Sequence, residues 1–468
     1  MLSQPFQRLF LPVISSLALC QCTVVGPDHQ TPGMELPTSF SRDGMQWKRE
    51  SPESQPKPRA WWKLYHDPTL TALVDKAMSG NQELKASAAR LQQAREMSKA
   101  ARTLYFPSID LGAGADRTRF RLRIPDGGSS TMNTFTVPVD LNYEVDFWGK
   151  VSRQVESAQA SEAAAAETLN AIRLSLASEV AQTYWALRAV DADRAEYSKT
   201  LEVRRKALEL ITRQRDVGTI SGLDLALAET EVADAEADRI ELDEQRVQLV
   251  NSLAVLTGSP ATGASVPENA ELPAPPDIPV SVPSELLRQR PDIRAAEHRV
   301  AAANAEIGVA TAAFYPSLTI KSSTGLDTGL IENLIEAPAV IWSLGANVTL
   351  PVTGQKRFRA QRDAAIAAHT AATAEYRQTV LEAIREVENP LQGSAILLRR
   401  QAARDKALVF AQKAYDLSIK RYQTGLVSFL DVVDSERTRH ESERDSNAVG
   451  AERLALSVSL IKALGGEW

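Results

Sequence analysis

The sequence contains only two cysteines in 468 residues, Cys20 and Cys22. Because both lie near the N terminus, the rest of the chain can form no internal disulfide. The formal net charge is -6, so the chain lacks the basic surface that nucleic-acid binding requires. The five histidines are scattered, and there is no H-E-x-x-H, P-loop, G-x-S-x-G or Rossmann glycine pattern. These absences argue against an enzyme, a metal site and a nucleic-acid partner.

Long apolar runs are also missing. The longest, Leu9 to Leu19, is too short for a membrane-spanning helix, which needs about 20 apolar residues. It lies between Arg8 and the two cysteines, so residues 1–21 are predicted to be a signal peptide of the lipoprotein type. We expect the lipid on Cys22 and, less favoured, on Cys20, with no other cofactor. The residues before the cysteines are not the usual small ones, so an ordinary signal peptide with incidental cysteines stays open. A metal site at the C-x-C is less favoured.

An internal repeat organises the rest of the chain. Each half, about 200 residues long, contains the same succession of patterns, and the most similar segments align without large gaps. The aligned pairs are Asn81 to Leu111 with Arg290 to Ile320, and Val217 to Asp224 with Thr424 to Asp431.

The predicted organisation follows this repeat. Each half is expected to contain a helix, two strands, a long helix, a tip turn and a return helix. The first helix, over residues 67–104, is expected to end before Pro107, since proline lacks an amide donor. The predicted segments are 22–66, extended; 67–258, repeat 1; 259–283, a proline-rich linker; 284–465, repeat 2; and 466–468, a tail.

Two stretches alternate apolar and polar residues, as strands with one apolar face do. In the first half Val137, Val139, Leu141, Tyr143 and Val145 alternate with polar residues, and the second half repeats the pattern from Trp342 to Leu350. Strands of about ten residues with this alternation suit the wall of a transmembrane barrel. A half-buried strand of a soluble sheet would have the same period.

Two exceptionally long helices are predicted, over residues 151–216 and 356–423. A helix of about 65 residues extends about 100 Å, and its narrow apolar stripe indicates a coiled coil. Gly218 and Gly425 are expected to end these helices, because glycine readily adopts the left-handed conformation. Return helices follow, and the polar run from Glu436 to Asn447 in the second one is interpreted as a solvated face.

Several segments together resemble the outer-membrane factors of bacterial tripartite efflux pumps, in the OprM and NodT branch of the TolC family. The resemblance covers the chain from Cys22 to Gly466. It is carried by Val280 to Ala305, Cys22 to Asp28, Trp61-Trp62 with Asp67-Pro68, and Glu144 to Lys150.

The resemblance implies a mixed α and β membrane protein that forms a homotrimer. Each chain would give four strands to a 12-stranded barrel in the outer membrane of a Gram-negative bacterium, continued by a helical tunnel across the periplasm. The expected partners are outer-membrane lipid, a periplasmic adaptor and, mainly through the adaptor, an inner-membrane pump of the RND type. The implied function is the exit channel for antibiotics or other small molecules. A type I protein-secretion duct and a structural periplasmic coiled-coil protein remain alternatives.

The candidate gate lies at the tip of the second half. Asp431 and Asp434 are three residues apart on one helix and so share a face. By resemblance these residues and Leu430 match the periplasmic aperture, where rings of Asp close the tunnel at rest. The first half has Asp224 but Leu227 in place of the second Asp. Two ties are expected to hold the closed state, Tyr422 to Asp224 and Arg437 to Asp434, because Val427 replaces the arginine that latches the family's prototype.

The tip turns are the candidate adaptor-docking sites, again by resemblance. Simple tight-turn packing is the alternative interpretation. The residues are Val217, Gly218, Thr219 and Ile220 in the first half, and Thr424, Gly425, Leu426 and Val427 in the second.

Overall fold

The computed structural model describes residues 24–34, 60–121, 129–218, 220–278, 290–333 and 339–466. After a short 3-10 helix at Trp61–Tyr65, these residues form long helices and one antiparallel sheet. The helices are α1 (Pro68–Gly80), α2 (Gln82–Thr103), α3 (Lys150–Asp216), α4 (Gly222–Leu256), α5 (Pro291–Ala312), α6 (Gln355–Gln423) and α7 (Phe429–Ala463). The strands are β1 (Ser108–Leu111), β2 (Gly114–Arg121), β3 (Ser129–Val145), β4 (Ser317–Thr328) and β5 (Ala339–Thr349).

The two very long helices are present. Helix α3 has 67 residues and α6 has 69, and α6 continues through Pro390. Both exceed by far the mean of about 11 to 12 residues for helices in globular proteins. Each is followed by a return helix of 35 residues.

The single helix predicted over residues 67–104 is divided in the structure at Asn81. The Asn81 backbone is extended, and its side chain accepts a hydrogen bond from the Leu84 amide and donates one to the Leu256 carbonyl, each 2.9 Å. At Gly80, an added Cβ would lie 2.3 Å from the Thr257 carbonyl oxygen. The break therefore arises from a capping side chain and a close backbone approach, and no proline marks it.

The sheet has four strand positions, and the first of them is interrupted. Both β1 and β2 pair with β3, β3 pairs with β4, and β4 pairs with β5, all antiparallel. Gly112 and Ala113 separate β1 from β2. Strand β3 has 17 residues and is thus longer than the predicted ten.

The register places most apolar side chains of these strands on one face, because directly paired residues point to the same side of a sheet, whereas Phe120, Met132 and Ile341 lie on the other. This confirms the alternation predicted for β3 and β5, and the face is open: Trp342 is 78% exposed and Leu111 is 76% exposed. We call it the apolar face. Its members are Ile109, Leu111, Phe135, Val137, Val139, Leu141, Tyr143, Val145, Leu318, Ile320, Leu326, Val340, Trp342, Leu344, Ala346 and Val348.

The opposite face of the sheet is polar over residues 140–144 of β3 and their partners. Asp140, Asn142 and Glu144 of β3 lie beside Ser323, Lys321 and Thr319 of β4. These in turn pair with Ser343, Gly345 and Asn347 of β5. The sheet therefore has one face suited to hydrocarbon and one suited to water.

The described residues form two compact units. The first contains the sheet and comprises residues 24–33, 90–121, 129–166, 295–333 and 339–376. In it the start of the described chain is fixed at the junction of β3 and α3, where the Val25 amide donates to the Trp148 carbonyl at 3.0 Å. Arg153 binds Asp28 at 2.9 Å, and Trp148 stacks on Tyr315. The predicted signal peptide and both cysteines lie outside the described residues.

The second unit comprises residues 34, 60–89, 167–218, 220–278, 290–294 and 377–466. Its core contains an aromatic cluster in which the Tyr184 hydroxyl donates to Asp67 at 2.5 Å and Tyr65 contacts Trp185. Further core residues come from α1, with Leu70 and Val74, and from the helices of the two hairpins, α3–α4 and α6–α7. None of the helices in the described ranges combines the length and apolar content that a bilayer-spanning helix requires.

Candidate functional site

The candidate site lies at the ends of two helical hairpins, the first hairpin (α3–α4) and the second hairpin (α6–α7). Each turn contains a glycine with positive φ, Gly218 at 74° and Gly425 at 72°. In the second hairpin the Gly425 amide donates to the Tyr422 carbonyl and the Leu426 amide to the Arg421 carbonyl, both at 2.9 Å. These bonds satisfy the last carbonyls of the helix. The predicted tip glycines are thus the residues that reverse the chain.

Both return helices begin with a capping box. Ser221 caps α4 with Asp224 as its reciprocal partner, and Ser428 caps α7 with Asp431. The Asp431 carboxylate accepts from the Ser428 amide at 2.8 Å and hydroxyl at 2.7 Å, whereas Asp224 accepts from the Ser221 amide at 3.3 Å. The hydroxyl and amide of Ser428 lower the pKa of Asp431. Two predicted gate residues therefore also serve the fold, because each satisfies amides that begin a helix.

Asp434, unlike Asp224 and Asp431, is not part of a capping box. It lies one turn after Asp431 on α7 and is exposed. No hydrogen bond or ion pair of its carboxylate occurs within the described residues. Leu430, at the start of the same helix, is 48% exposed. The equivalent position on α4 is Leu227, as the sequence alignment predicted.

The two predicted ties differ in the structure. Arg437 points across to α4, where its Nη2 lies 2.6 Å from Glu231 Oε1, and this contact replaces the predicted pair with Asp434. The Tyr422 hydroxyl contacts Gln214 Oε1 at 3.5 Å rather than Asp224. Burial raises the pKa of Tyr422, and the charge of Asp224 raises it further. Arg437 thus has its partner on a neighbouring helix instead of its own, and Tyr422 contacts α3 instead of α4.

A buried link between the two hairpins was not predicted. Arg204 of α3 binds Glu436 of α7 at 2.9 Å and Glu231 of α4 at 3.0 Å, and the side chains of all three are at most 11% exposed. These three residues form the buried ion-pair network, and the exposed Arg437 pairs with it at Glu231. Burial raises the pKa of the Glu436 carboxyl although Arg204 opposes the shift. Sequence analysis missed the network because Glu436 begins a polar run that was interpreted as solvated.

A buried histidine lies one turn further along α7. His440 is 7% exposed and meets the Tyr197 ring edge-on at 4.2 Å, and neither ring nitrogen has a hydrogen-bond partner among the described residues. Burial lowers the pKa of His440 to about 4; Glu196 opposes this shift, and Arg204, Arg439 and Arg444 reinforce it. The interpretation of this run as a solvated face was therefore wrong for Glu436 and His440.

The hairpin tips are apolar and open. Val217 is 74% exposed and Leu426 is 69% exposed. Ile220 and Val427 are half-buried, Thr424 is exposed, and Thr219 lies outside the described residues. Within the described ranges no group of His, Cys, Asp or Glu side chains has a metal-binding arrangement.

Comparisons with known proteins agree with this architecture. The outer membrane efflux protein family model matches residues 73–259 and 282–466. The solvent efflux pump outer membrane protein SrpC of Pseudomonas putida is 30% identical over 466 residues, covering 98% of each chain. The pyoverdine export outer membrane protein OpmQ of Pseudomonas aeruginosa is 31% identical over 423 residues, covering 88% of each.

Solved structures give the same result. The outer-membrane channel OprN is 28% identical with a TM-score of 0.86, covering 94% of this chain and 99% of that one. The open state of the MtrE outer membrane channel of Neisseria gonorrhoeae is 26% identical with a TM-score of 0.82, covering 94% and 98%. The chain has this sheet and two long helical hairpins, and the family model matches most of its length. It therefore belongs to the outer membrane efflux protein family.

Proposed function

We propose that the protein is the outer-membrane exit channel of a tripartite efflux system for small molecules. Three copies would each contribute four strands to one closed 12-stranded barrel, and the helices would continue it as a periplasmic tunnel. The observation that carries this proposal is the sheet with one open apolar face and one polar face. Closure in a trimer would pair the edge strands, which hydrocarbon does not tolerate unpaired.

The dimensions of the apolar face fit a bilayer. From Phe135 to Val145 the strand rises about 34 Å, or about 26 Å along the membrane normal at a tilt of about 40°, close to the apolar band of about 25 Å in outer-membrane barrels. Polar side chains from Asp140 to Glu144 and from Thr319 to Ser323 would then line a water-filled passage. Such a passage needs no catalytic group, and the protein would perform no chemistry of its own.

The cargo is proposed to be small molecules rather than polypeptide. The relatives SrpC and OpmQ are named for solvent efflux and pyoverdine export, respectively.

Energy would come from an inner-membrane pump that is reached mainly through a periplasmic adaptor. The exposed Val217 and Leu426 at the hairpin tips would form part of the adaptor contact, since apolar side chains at a turn gain most from being covered. A lipid on Cys22 would add an anchor: Val24, two residues later, lies against Gly149 where the sheet ends.

The gate is proposed to be the ring that three copies of Asp434 would form with three copies of Asp431 and Leu430. Carboxylates crowded on an axis attract cations and repel anions. Divalent or trivalent cations added on the periplasmic side should therefore block the channel. The buried ion-pair network would hold the two hairpins of each chain together in the resting state.

Planar-bilayer recordings test the channel directly. The purified protein should run as a heat-modifiable trimer and carry current that added polyvalent cations reduce. A monomer that inserts into no bilayer and carries no current would contradict the proposal and favour a structural coiled-coil protein.

A further inference from the structure

At the end remote from the helices, the apolar face of the sheet continues into polar and basic side chains. The register continues that face beyond Phe135 into Asn133, Thr131 and Ser129, which pair with Arg117, Arg119 and Arg121, respectively. These three arginines, the arginine row, point to the same side as the apolar residues because they alternate with Asp116, Thr118 and Phe120. A lipid-facing surface thus ends in three guanidinium groups.

The arginine row is exposed, and among the described residues it has no acidic neighbour on its own face. Strand β2 is open along Ala115 to Arg121. Arg119 donates from Nε and Nη2 to the Ser129 hydroxyl at 3.1 and 2.8 Å, which orients its guanidinium along the strand. Asp116 points to the opposite face, and no ion pair involves the three arginines within the described residues. Three positive charges beside neutral hydroxyl and amide groups suit a phosphate ligand, which accepts hydrogen bonds and carries negative charge.

The distance of the arginine row from the apolar band indicates which phosphate-bearing molecule it would contact. Asn133 lies two residues and Ser129 six residues beyond Phe135, so the arginines would stand about 5 to 16 Å above the apolar band. This is the headgroup level of the leaflet remote from the helices. We propose that the arginine row binds the phosphate groups of an anionic glycolipid in the outer leaflet of the outer membrane. The inference rests on the proposed function, because it requires the apolar face in the membrane and the helices in the periplasm.

Lipid binding to the full-length purified protein tests this. Delipidated protein in non-ionic detergent with EDTA is incubated with bisphosphorylated lipid A, monophosphoryl lipid A or phosphatidylcholine, and bound lipid is quantified by mass spectrometry. We expect bisphosphorylated lipid A to bind at least about tenfold more tightly than phosphatidylcholine, since each basic residue adds a substantial attraction to anionic lipid. Monophosphoryl lipid A should lie between them.

The decisive variant is Arg117→Gln/Arg119→Gln/Arg121→Gln, which should bind lipid A no better than phosphatidylcholine. Its matched control, Arg359→Gln/Arg377→Gln/Arg385→Gln, removes the same charge from exposed positions of α6 and should bind lipid A as the wild type does. The triple Lys variant of the row keeps the charge and should retain most of the preference, so a failure of the Gln variant to fold would not leave the site without a test. Equal binding of lipid A by the wild type and the Gln variant would overturn the proposal.

Two further experiments are needed. One distinguishes lipid phosphate from free phosphate, and the other tests the lipid site independently of the proposed channel function. If inorganic phosphate binds through the same arginines while lipid A shows no preference over phosphatidylcholine, the lipid site is wrong. Current through the Gln variant equal to that of the wild type is expected, because the row lies outside the passage. A preference for lipid A that needs the arginines in a protein that carries no current would support the site and contradict the channel.

Discussion

The two hairpins use the same turn chemistry but differ in the helices that begin after the turn. Both contain a glycine with positive φ and a capping box, with Ser221 and Asp224 in the first and Ser428 and Asp431 in the second. Beyond the box the helices diverge. At equivalent positions α4 has Leu227 and Ala233, where α7 has Asp434 and His440. The shared residues are those that cap and reverse the chain, whereas Asp434 and His440 are ionisable residues that the second hairpin alone has at these positions.

The largest expected effect on the free energy of unfolding comes from removing the ion pairs of Arg204, which join the two hairpins. Arg204→Ala would leave the buried Glu436 without its cation, and we expect a loss of about 3 to 5 kcal/mol in the free energy of unfolding. Urea denaturation followed by circular dichroism measures it. Arg205→Ala is the control, because its pair with Glu236 is 60% and 45% exposed and should contribute less than about 1 kcal/mol. Similar losses in the two variants would show that the network does not join the hairpins.

The second effect concerns the buried histidine of α7, which has alanine as its counterpart on α4. The folded-state pKa of His440, about 4, lies below the unfolded value of about 6.5. The unfolded chain therefore binds the proton first, and stability falls as the pH drops from about 6.5 towards 4, by at most about 3 kcal/mol. His440→Phe should remove this part of the pH dependence of thermal unfolding while leaving stability near pH 7.5 similar. An unchanged pH profile would contradict the burial of a neutral histidine.

A smaller effect tests whether the two capping boxes are equivalent. Ser221→Ala and Ser428→Ala should each cost about 1 kcal/mol, the usual loss for a helix N-cap. The second should cost somewhat more, because its box has the shorter contacts, 2.8 Å against 3.3 Å. Differential scanning calorimetry of both variants measures the difference. A loss confined to Ser221→Ala would reverse this ranking of the two boxes.

Much of the likeness between the two hairpins was predictable from the sequence, because it depends on residues close together in the chain. The glycine turns and the alignment of Asp224 with Asp431 follow from short-range patterns, as does the alternation of β3 and β5. The burial of Glu436 and His440 did not follow, because the side of a helix that is covered depends on the neighbouring helices. The partners of Arg437 and Tyr422 were missed for the same reason.

Breaks in regular elements were also hard to predict. The interruption at Asn81 depends on the Leu256 carbonyl and on the approach of Thr257 to Gly80, residues about 175 positions away in the chain. The separation of β1 from β2 at Gly112 was likewise not foreseen. The arginine row was visible in the sequence as Arg117, Arg119 and Arg121, but its side of the sheet became known only with the pairing of β2 and β3.

The most direct test of the difference between the hairpins is the conductance of Asp434→Asn beside Asp224→Asn in planar bilayers. Within the described residues the Asp434 carboxylate makes no hydrogen bond or ion pair, so its replacement should leave stability unchanged, raise the small resting current and weaken block by divalent cations. Asp224→Asn should keep the resting current and the block of the wild type. If Asp434→Asn retains both the wild-type current and the wild-type block, the carboxylate that distinguishes the second hairpin is not the gate.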